Sequence, residues 1–160
     1  MNDGDFEDLC QMLQDPVVMT AYEHAFDAGE VQAWLDRQIK RYHDYGYGLW
    51  AVILKDRGEL IGQCGLTMQE CNNGEILEVG YLFQKAYWHK GYATEAAIAC
   101  KEYAFQTLKA DVVASIIRDN NIPSQKVARR NGMSLVDQFV KHYYGMDMLH
   151  YVFVVRRSRE

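Results

Sequence analysis

The stretch that most constrains this chain is Trp88-His89-Lys90-Gly91-Tyr92-Ala93-Thr94-Glu95-Ala96. A strand-like apolar run from Ile76 to Phe83 precedes it, and an alanine-rich helical run follows. A strand, a short turn carrying glycine and then a helix N-terminus make an arrangement suited to phosphate. The first-turn N–H groups lack partners inside the helix, and the dipole there favours negative charge. Lys90, Gly91, Tyr92, Ala93 and Thr94 can present successive backbone N–H groups, and Gly91 and Ala93 are small enough for close approach. A pyrophosphate suits that surface better than a carboxylate. Taken alone, one glycine turn is equally readable as an ordinary strand-to-helix connection, the commoner case.

The rest of the chain builds a frame around this turn. Phe6, Leu9, Cys10 and Leu13 recur at helical spacing, so residues 5–14 predict a short amphipathic helix that stops before Asp15-Pro16. Residues 16–26 have no clean period and read as a loop. Asp27 lies three residues before Glu30 in the capping-box pattern. Val31, Trp34, Leu35, Ile39 and Tyr42 continue one helical face towards a stop near Gly46. Leu49 to Leu54, Leu60 to Thr67 and Ile76 to Phe83 are strand candidates joined by Lys55-Asp56-Arg57-Gly58 and Asn72-Asn73-Gly74, so they predict an antiparallel meander.

A helix from Ala93 to about Leu108 puts Ala93, Ala97, Cys100, Ala104 and Leu108 on one stripe. Val112 to Ile117, reached by that helical crossover, is expected parallel to the strand before it. Residues 122–131 predict a short helix, with Pro123 in its first turn and Gly132 past its end. Leu135 to Tyr143 and Met148 to Val155 close the chain as strands that meet around Gly145. The order ααβββαβαββ reads as one mixed-sheet α/β domain over residues 1–160.

Composition narrows the function. With 160 residues, 49% of them hydrophobic, the chain has the means for a substantial core; a domain of this size typically buries roughly 70% of its unfolded surface. The net charge of -5 argues against nucleic-acid binding and is compatible with a cationic substrate. Arg156, Arg157 and Arg159 read as a solubilising tail. No apolar run approaches the ~20 residues of a membrane span. Met1 to Asp5 is acidic and polar, unlike a secretory signal. Cys10, Cys64, Cys71 and Cys100 are scattered without C-x-x-C spacing, as expected of reduced thiols in a cytoplasmic protein with no disulfide framework and no metal site.

W-H-K-G-Y-A-T-E-A, with L-E-V-G-Y-L-F beginning eleven residues before it, resembles the acetyl-CoA-binding core of the GNAT family of N-acetyltransferases. The likeness is closest to the RimJ/RimL-type branch of ribosomal-protein N-terminal acetyltransferases. Asn121-Ile122-Pro123-Ser124 through Asn131-Gly132-Met133 looks like that branch's N-x-x-S segment, which usually ends in Gly-Phe. The likeness runs through nearly the whole chain, in order. It implies the GNAT fold, a mixed and mostly antiparallel sheet flanked by helices.

The resemblance also implies site roles. His89, Lys90, Gly91, Tyr92, Ala93 and Thr94 would cradle the pyrophosphate of coenzyme A. Tyr81, Leu82 and Phe83 would offer backbone groups to the pantetheine arm, which lies beside the strand. Gly80 would mark a bulge where that strand parts from its parallel neighbour, and a glycine inside a strand fits that independently. Asn121 and Ser124 would complete the cofactor contacts. Trp88 stands where the family usually carries Gln or Arg, as this branch often does, and His89 replaces a common glycine, with a backbone contact only. The chain opens where the family's first strand ends, so either the start is truncated or the sheet lacks that edge strand.

Acetyl transfer needs a neutral amine, stabilisation of the developing oxyanion and a proton for the leaving thiolate. Many family members use a tyrosine as the acid, but the equivalent position here is Ala128, and in this branch a serine is proposed, matched by Ser124. Ser124 is equally readable as a helix-capping or pantetheine contact. Glu78, two residues before Gly80, is the candidate base, directly or through a water; a solvated strand glutamate is the plainer alternative. Tyr81, Tyr143 and Tyr144 are fallback polar groups, and backbone N–H near Tyr81 or Leu82 would meet the oxyanion.

Three functions stay open on these residues. The first is an acetyl-CoA-dependent N-acetyltransferase acting on a primary amine such as a protein or peptide N-terminal α-amine. The second acetylates a small cationic amine, such as a polyamine or an aminoglycoside. The third is a non-catalytic acyl-CoA sensor. The segment holding Tyr22, Glu23 and His24 and the last hairpin would shape the acceptor site. A monomer and a homodimer are equally compatible with the sequence.

Overall fold

The computed structural model describes residues 1–158, so Arg159 of the basic tail lies outside the described residues. The elements are α1 (Phe6–Leu13), α2 (Ala28–Tyr45), β1 (Leu49–Leu54), β2 (Glu59–Cys71), β3 (Gly74–Phe83), α3 (Tyr92–Gln106), β4 (Val112–Arg118), α4 (Ile122–Arg130), β5 (Ser134–Tyr143) and β6 (Met146–Arg156). Six strands form one sheet in the order β1-β2-β3-β4-β6-β5, with β1 at one edge and β5 at the other. β3 and β4 run parallel, while β1 with β2, β4 with β6 and β5 with β6 run antiparallel. This is the expected GNAT architecture, and among the described residues no strand precedes α1.

Contacts group the described residues into two compact units, residues 1–65 with 81–93 and residues 66–80 with 94–158. In the first, Leu9, Met12 and Leu13 of α1 bury against Val31 and Leu35 of α2, together with Val18, Met19 and Phe26. Each such side chain contributes about 1.5–3 kcal/mol when fully buried. Residues 16–26 are therefore not a plain loop. Val18–Tyr22 is a 3₁₀ turn with Met19 fully buried, and Phe26, Tyr22 and Trp34 meet edge-to-face at 5.7–6.0 Å. The apolar residues there follow no regular period because the turn is short and kinked.

α2 starts on the predicted capping box. Asp27 Oδ1 accepts from the Glu30 N–H at 2.8 Å, and Glu30 Oε1 accepts from the Asp27 N–H at 3.3 Å. It ends on Gly46 at φ 75°, a left-handed cap that glycine adopts at no steric cost. Buried Gln38 accepts through Oε1 from the Leu49 N–H at 3.2 Å, tying α2 to the start of β1. Tyr42 O–H donates to the Leu49 carbonyl, and burial, with Asp5 nearby, pushes its pKa up to about 12.

In the second unit, β4 is paired along its length with β6. α3 buries Ala97, Cys100 and Ala104, small residues that let a helix approach closely, while Leu108 falls beyond the helix end. α4 carries Pro123 in its first turn and stops before Gly132 at φ 81°. Asn131 is buried there: its Nδ2 donates to the Ala97 carbonyl at 3.2 Å, and Lys101 Nζ donates to its backbone oxygen at 3.3 Å. The Arg129 guanidinium lies 5.0 Å from the Phe153 ring centroid. Of the basic tail, Arg157 is paired with Asp111 at 2.6 Å, so it does more than solubilise.

Candidate active site

β3 leaves the sheet through a braced turn in the first unit. The Gln84 N–H donates to the Ile61 carbonyl at 2.9 Å, and Gln84 Nε2 donates to the Leu60 carbonyl at 2.8 Å. Trp88 Nε1–H then reaches back to the Phe83 carbonyl at 2.9 Å. Phe83 is buried, its ring against Gly62, where a Cβ would come within 2.5 Å of it. Of the three residues expected to face pantetheine, Phe83 thus already has its carbonyl engaged; Tyr81 and Leu82 are half-buried on the same strand end.

Beyond Trp88, His89 at φ 61° and Gly91 at φ 85° flank Lys90, both in the left-handed region. Glycine tolerates this freely, whereas for histidine it costs about 1–3 kcal/mol. α3 begins at Tyr92, so the N–H groups of its first turn have no intrahelical acceptor. The turn from Trp88 to Thr94 carries Lys90 and no acidic side chain. Lys90 Nζ lies 5.4 Å from the centroid of the Tyr87 ring, whose O–H donates to Glu59 at 2.6 Å. That bond, above all, raises the Tyr87 pKa. This donor-rich turn carries Lys90, has Glu95 in the helical turn that follows, and can present its backbone N–H groups to an anion.

The second unit holds the candidate proton-transfer groups. β3 and β4 register at Glu78 with Ala114. Just past that pair, Ser115 Oγ–H donates to the Val79 carbonyl at 2.8 Å, and the Ile116 N–H donates to Glu78 Oε2 at 3.3 Å. Side chains therefore answer backbone groups immediately beyond the Glu78–Ala114 pair. Glu78 is half-buried and held to β4 by that bond.

Asn121 caps α4, its Oδ1 accepting from the Ser124 N–H at 3.3 Å. The cap thus belongs to Asn121, and Ser124 contributes its backbone to it. Buried Gln125 donates through Nε2 to the Asp119 carbonyl at 2.8 Å and the Arg118 carbonyl at 3.4 Å, fixing the first turn of α4 to the end of β4. Ala128 is fully buried, so the family's usual tyrosine has no room there. Tyr143 ends β5 half-buried, and Tyr144, at φ 53° in the following turn, is exposed with its ring 6.4 Å from that of Tyr143.

One polar residue in this unit was not singled out from the sequence. His150 of β6 pairs with Arg118 of β4 and with Phe139 of β5, the imidazole stacking on the Phe139 ring at 6.1 Å. Its only signal was a histidine inside an apolar strand. In the first unit, His24 Nε2 lies 2.8 Å from Glu30 Oε2, and that bond raises the His24 pKa. A surface depression of about 570 Å³ along α2, lined by Asp36, Lys40 and His43 among others, includes none of the predicted site residues. Among the described residues, no three His, Cys, Asp or Glu side chains gather as metal ligands.

The family model described as the acetyltransferase (GNAT) domain matches residues 1–134. The Bacillus subtilis protein YkkB is 37% identical over 134 residues, covering 83% of this chain and 78% of that protein. The uncharacterized N-acetyltransferase p20 of Bacillus licheniformis is 31% identical over 127 residues, covering 77% and 70%. In fold, the chain is similar to the crystal structure of a GNAT-family acetyltransferase from Bacillus anthracis, with a TM-score of 0.81, 23% identity and 98% and 91% of the two chains covered. The six-stranded mixed sheet, the braced turn and this match over most of the sequence have one conclusion: the chain belongs to the GNAT family of N-acetyltransferases.

Proposed function

We propose that this N-acetyltransferase uses acetyl-CoA to acetylate a primary amine, the N-terminal α-amine of a protein or peptide, and that residues 1–160 act as one catalytic domain. The observation that carries the reading is the N-x-x-S segment, in which Asn121 caps α4 and Ser124 stands three residues on. That segment resembles the one in the RimJ/RimL-type branch, whose acceptors are α-amines. The pyrophosphate would be held by the backbone from His89 to Thr94 with Lys90 nearby, and pantetheine by Tyr81 and Leu82. Acetyl-CoA supplies an activated acyl group on a good leaving group.

The protein's own part is positioning and proton transfer. Glu78, held by the Ile116 N–H, takes a proton from the acceptor nitrogen as the new C–N bond forms. Ser124 gives a proton to the departing thiolate and recovers one from solvent. Backbone N–H near Tyr81 or Leu82 meets the oxyanion. A reducing, cytoplasmic setting is part of the proposal, in keeping with four scattered cysteines that form no disulfide among the described residues.

The test is incubation with acetyl-CoA and unblocked peptides, polyamines and aminoglycosides, read by mass spectrometry beside a thiol-release assay. Acetylated peptide N-termini are the expected outcome. Modification of the small amines alone would move the acceptor to that class. Acetyl-CoA binding with no thiol released against any amine would leave an acyl-CoA sensor.

A further inference from the structure

Two of the hydrogen bonds around Glu78 close a ring. Glu78 and Val79 are neighbours on β3, and Ser115 and Ile116 are neighbours on β4. The Ile116 N–H donates to Glu78 Oε2 at 3.3 Å, and Ser115 Oγ–H donates to the Val79 carbonyl at 2.8 Å. One link joins a β3 side chain to the β4 backbone, and the other joins a β4 side chain to the β3 backbone. The Val79 carbonyl and the Ile116 N–H are groups that a sheet ordinarily satisfies from the neighbouring backbone. Here each takes a side-chain partner, so each link holds the geometry in which the other forms.

The two links come from opposite faces of the sheet. Glu78 is the register partner of Ala114, so their side chains leave on the same face. Ser115, the next residue along β4, leaves on the other. Its antiparallel partner there is Phe153 of β6, fully buried, with the Arg129 guanidinium of α4 5.0 Å from the ring centroid. Ser115 is itself only 1% exposed, so its hydroxyl does not meet a substrate that Glu78 meets. Any part it takes in the reaction runs through its neighbours.

A hydroxyl here also needs a reason. From Val112 to Ile117 every other residue is apolar, and burying a hydroxyl is unfavourable unless it is bonded. Alanine would fill the position without that cost, but would take this donor away from the carbonyl of buried Val79. That carbonyl belongs to the peptide group leading into Gly80, whose backbone has more freedom than that of any other residue. Ser115 steadies the peptide from β4.

Resting on the reading of Glu78 as the base of an acetyltransferase, we propose that Ser115 is a positioning residue for that base. Its bond to the Val79 carbonyl keeps the Ile116 N–H on the Glu78 carboxylate, and so holds the carboxylate in one orientation toward the acceptor nitrogen. Ser115 exchanges no proton with the substrate. Without its hydroxyl the ring opens, the carboxylate samples other rotamers, and catalysis loses orientation while the proton acceptor itself remains.

The test compares Ser115→Ala, Ser115→Thr and Ser115→Val in the full chain, with acetyl-CoA and unblocked peptides, well below every Tm. Threonine and valine share the added methyl and differ by the hydroxyl, so that pair isolates it even where Ser115→Ala folds poorly. Ser115→Ala and Ser115→Val should lose about ten- to a hundredfold in kcat, with the Kd for acetyl-CoA near wild type. Ser115→Thr should keep several times more turnover than Ser115→Val. In a Glu78→Gln background the threonine and valine variants should turn over equally, because the hydroxyl acts only through that carboxylate.

Amide hydrogen exchange gives a readout that needs no substrate. The Ile116 amide should lose protection relative to its β4 neighbours in Ser115→Val and hold it in Ser115→Thr. Equal turnover in the threonine and valine variants would overturn the positioning role and leave the acetyltransferase standing. So would a hydroxyl effect that persists undiminished in Glu78→Gln, or Ile116 protection unchanged in Ser115→Val. Wild-type turnover in Glu78→Gln would remove the base, and the role of Ser115 with it. If the wild type releases no thiol from acetyl-CoA with any amine, the enzymatic reading itself fails, and this role fails with it whatever the exchange data show.

Discussion

Glu78 Oε2 lies 3.3 Å from the backbone nitrogen of Ile116, so a side chain of β3 closes a hydrogen bond to β4 two residues beyond its own register partner, Ala114. The proposed base is thus also a strand clasp, and the two duties can be pulled apart. Glu78→Gln keeps an oxygen acceptor for the Ile116 N–H but removes the carboxylate. Turnover should fall by about 10²–10⁴ while acetyl-CoA affinity holds and Tm moves little. Glu78→Ala loses both roles and should also lower Tm. Steady-state kinetics with calorimetric titration of acetyl-CoA checks this, and unchanged turnover in Glu78→Gln removes the residue from the mechanism.

Ser124 is separable from its helix cap. Asn121 accepts the Ser124 backbone N–H, a bond that Ser124→Ala leaves in place. The fold should survive, and the single-turnover acetyl-transfer rate should drop about tenfold, a modest loss because a thiolate is a good leaving group. An effect seen only in the Kd for acetyl-CoA would make Ser124 a pantetheine contact.

Gly65 pairs with Leu49 in the β1–β2 ladder, and a Cβ on it would come within 2.0 Å of the Gly48 carbonyl oxygen. Backbone cannot swing aside as a side-chain tip can. Gly65→Ala should therefore cost about 3 kcal/mol or more, read as a lower denaturation midpoint. Gly58 offers the contrast: nothing lies within 4 Å of its Cβ position, and only its φ of 67° resists substitution.

The His24–Glu30 contact predicts a pH-dependent stability. Hydrogen bonding to Glu30, the main cause, raises the His24 pKa above its ordinary value near 6.5. The charged pair therefore contributes fully below about pH 6.5 and fades as pH rises through the raised folded value. Glu30→Gln keeps the capping-box geometry, since glutamine also serves at that position, but loses the charge. The Tm gap between wild type and Glu30→Gln should be widest near pH 5.5–6 and close above pH 8. Because Glu30 is 42% exposed, the gap should be small. A constant gap across that range would put the effect in the cap instead.

What could be read in the chain was local. Asp27 with Glu30, Gly46, Asn121 with Pro123, and the glycine turns announce themselves because caps and turns use neighbours only three or four residues away. The left-handed φ of Gly91 follows the same rule. Glu78 was marked by its place before Gly80, but its partner was not, since Ile116 lies 38 residues on and only the folded sheet brings them together. The extra length of β2 was hidden because Met68 to Cys71 alternates without a clear apolar face. His150 was overlooked because its environment comes from two other strands.

Trp88 carries one more consequence. Its indole closes Phe83 to Trp88 into a ring through a single hydrogen bond, so the spacing between those residues is quantised. One inserted or deleted residue among 84–87 would carry the indole off the carbonyl and rotate the whole start of α3. Surface connections usually absorb insertions freely; this one should not, whereas Lys55 to Gly58 should. A lineage of related chains would then be free to lengthen the β1–β2 turn while keeping the Phe83-to-Trp88 count constant.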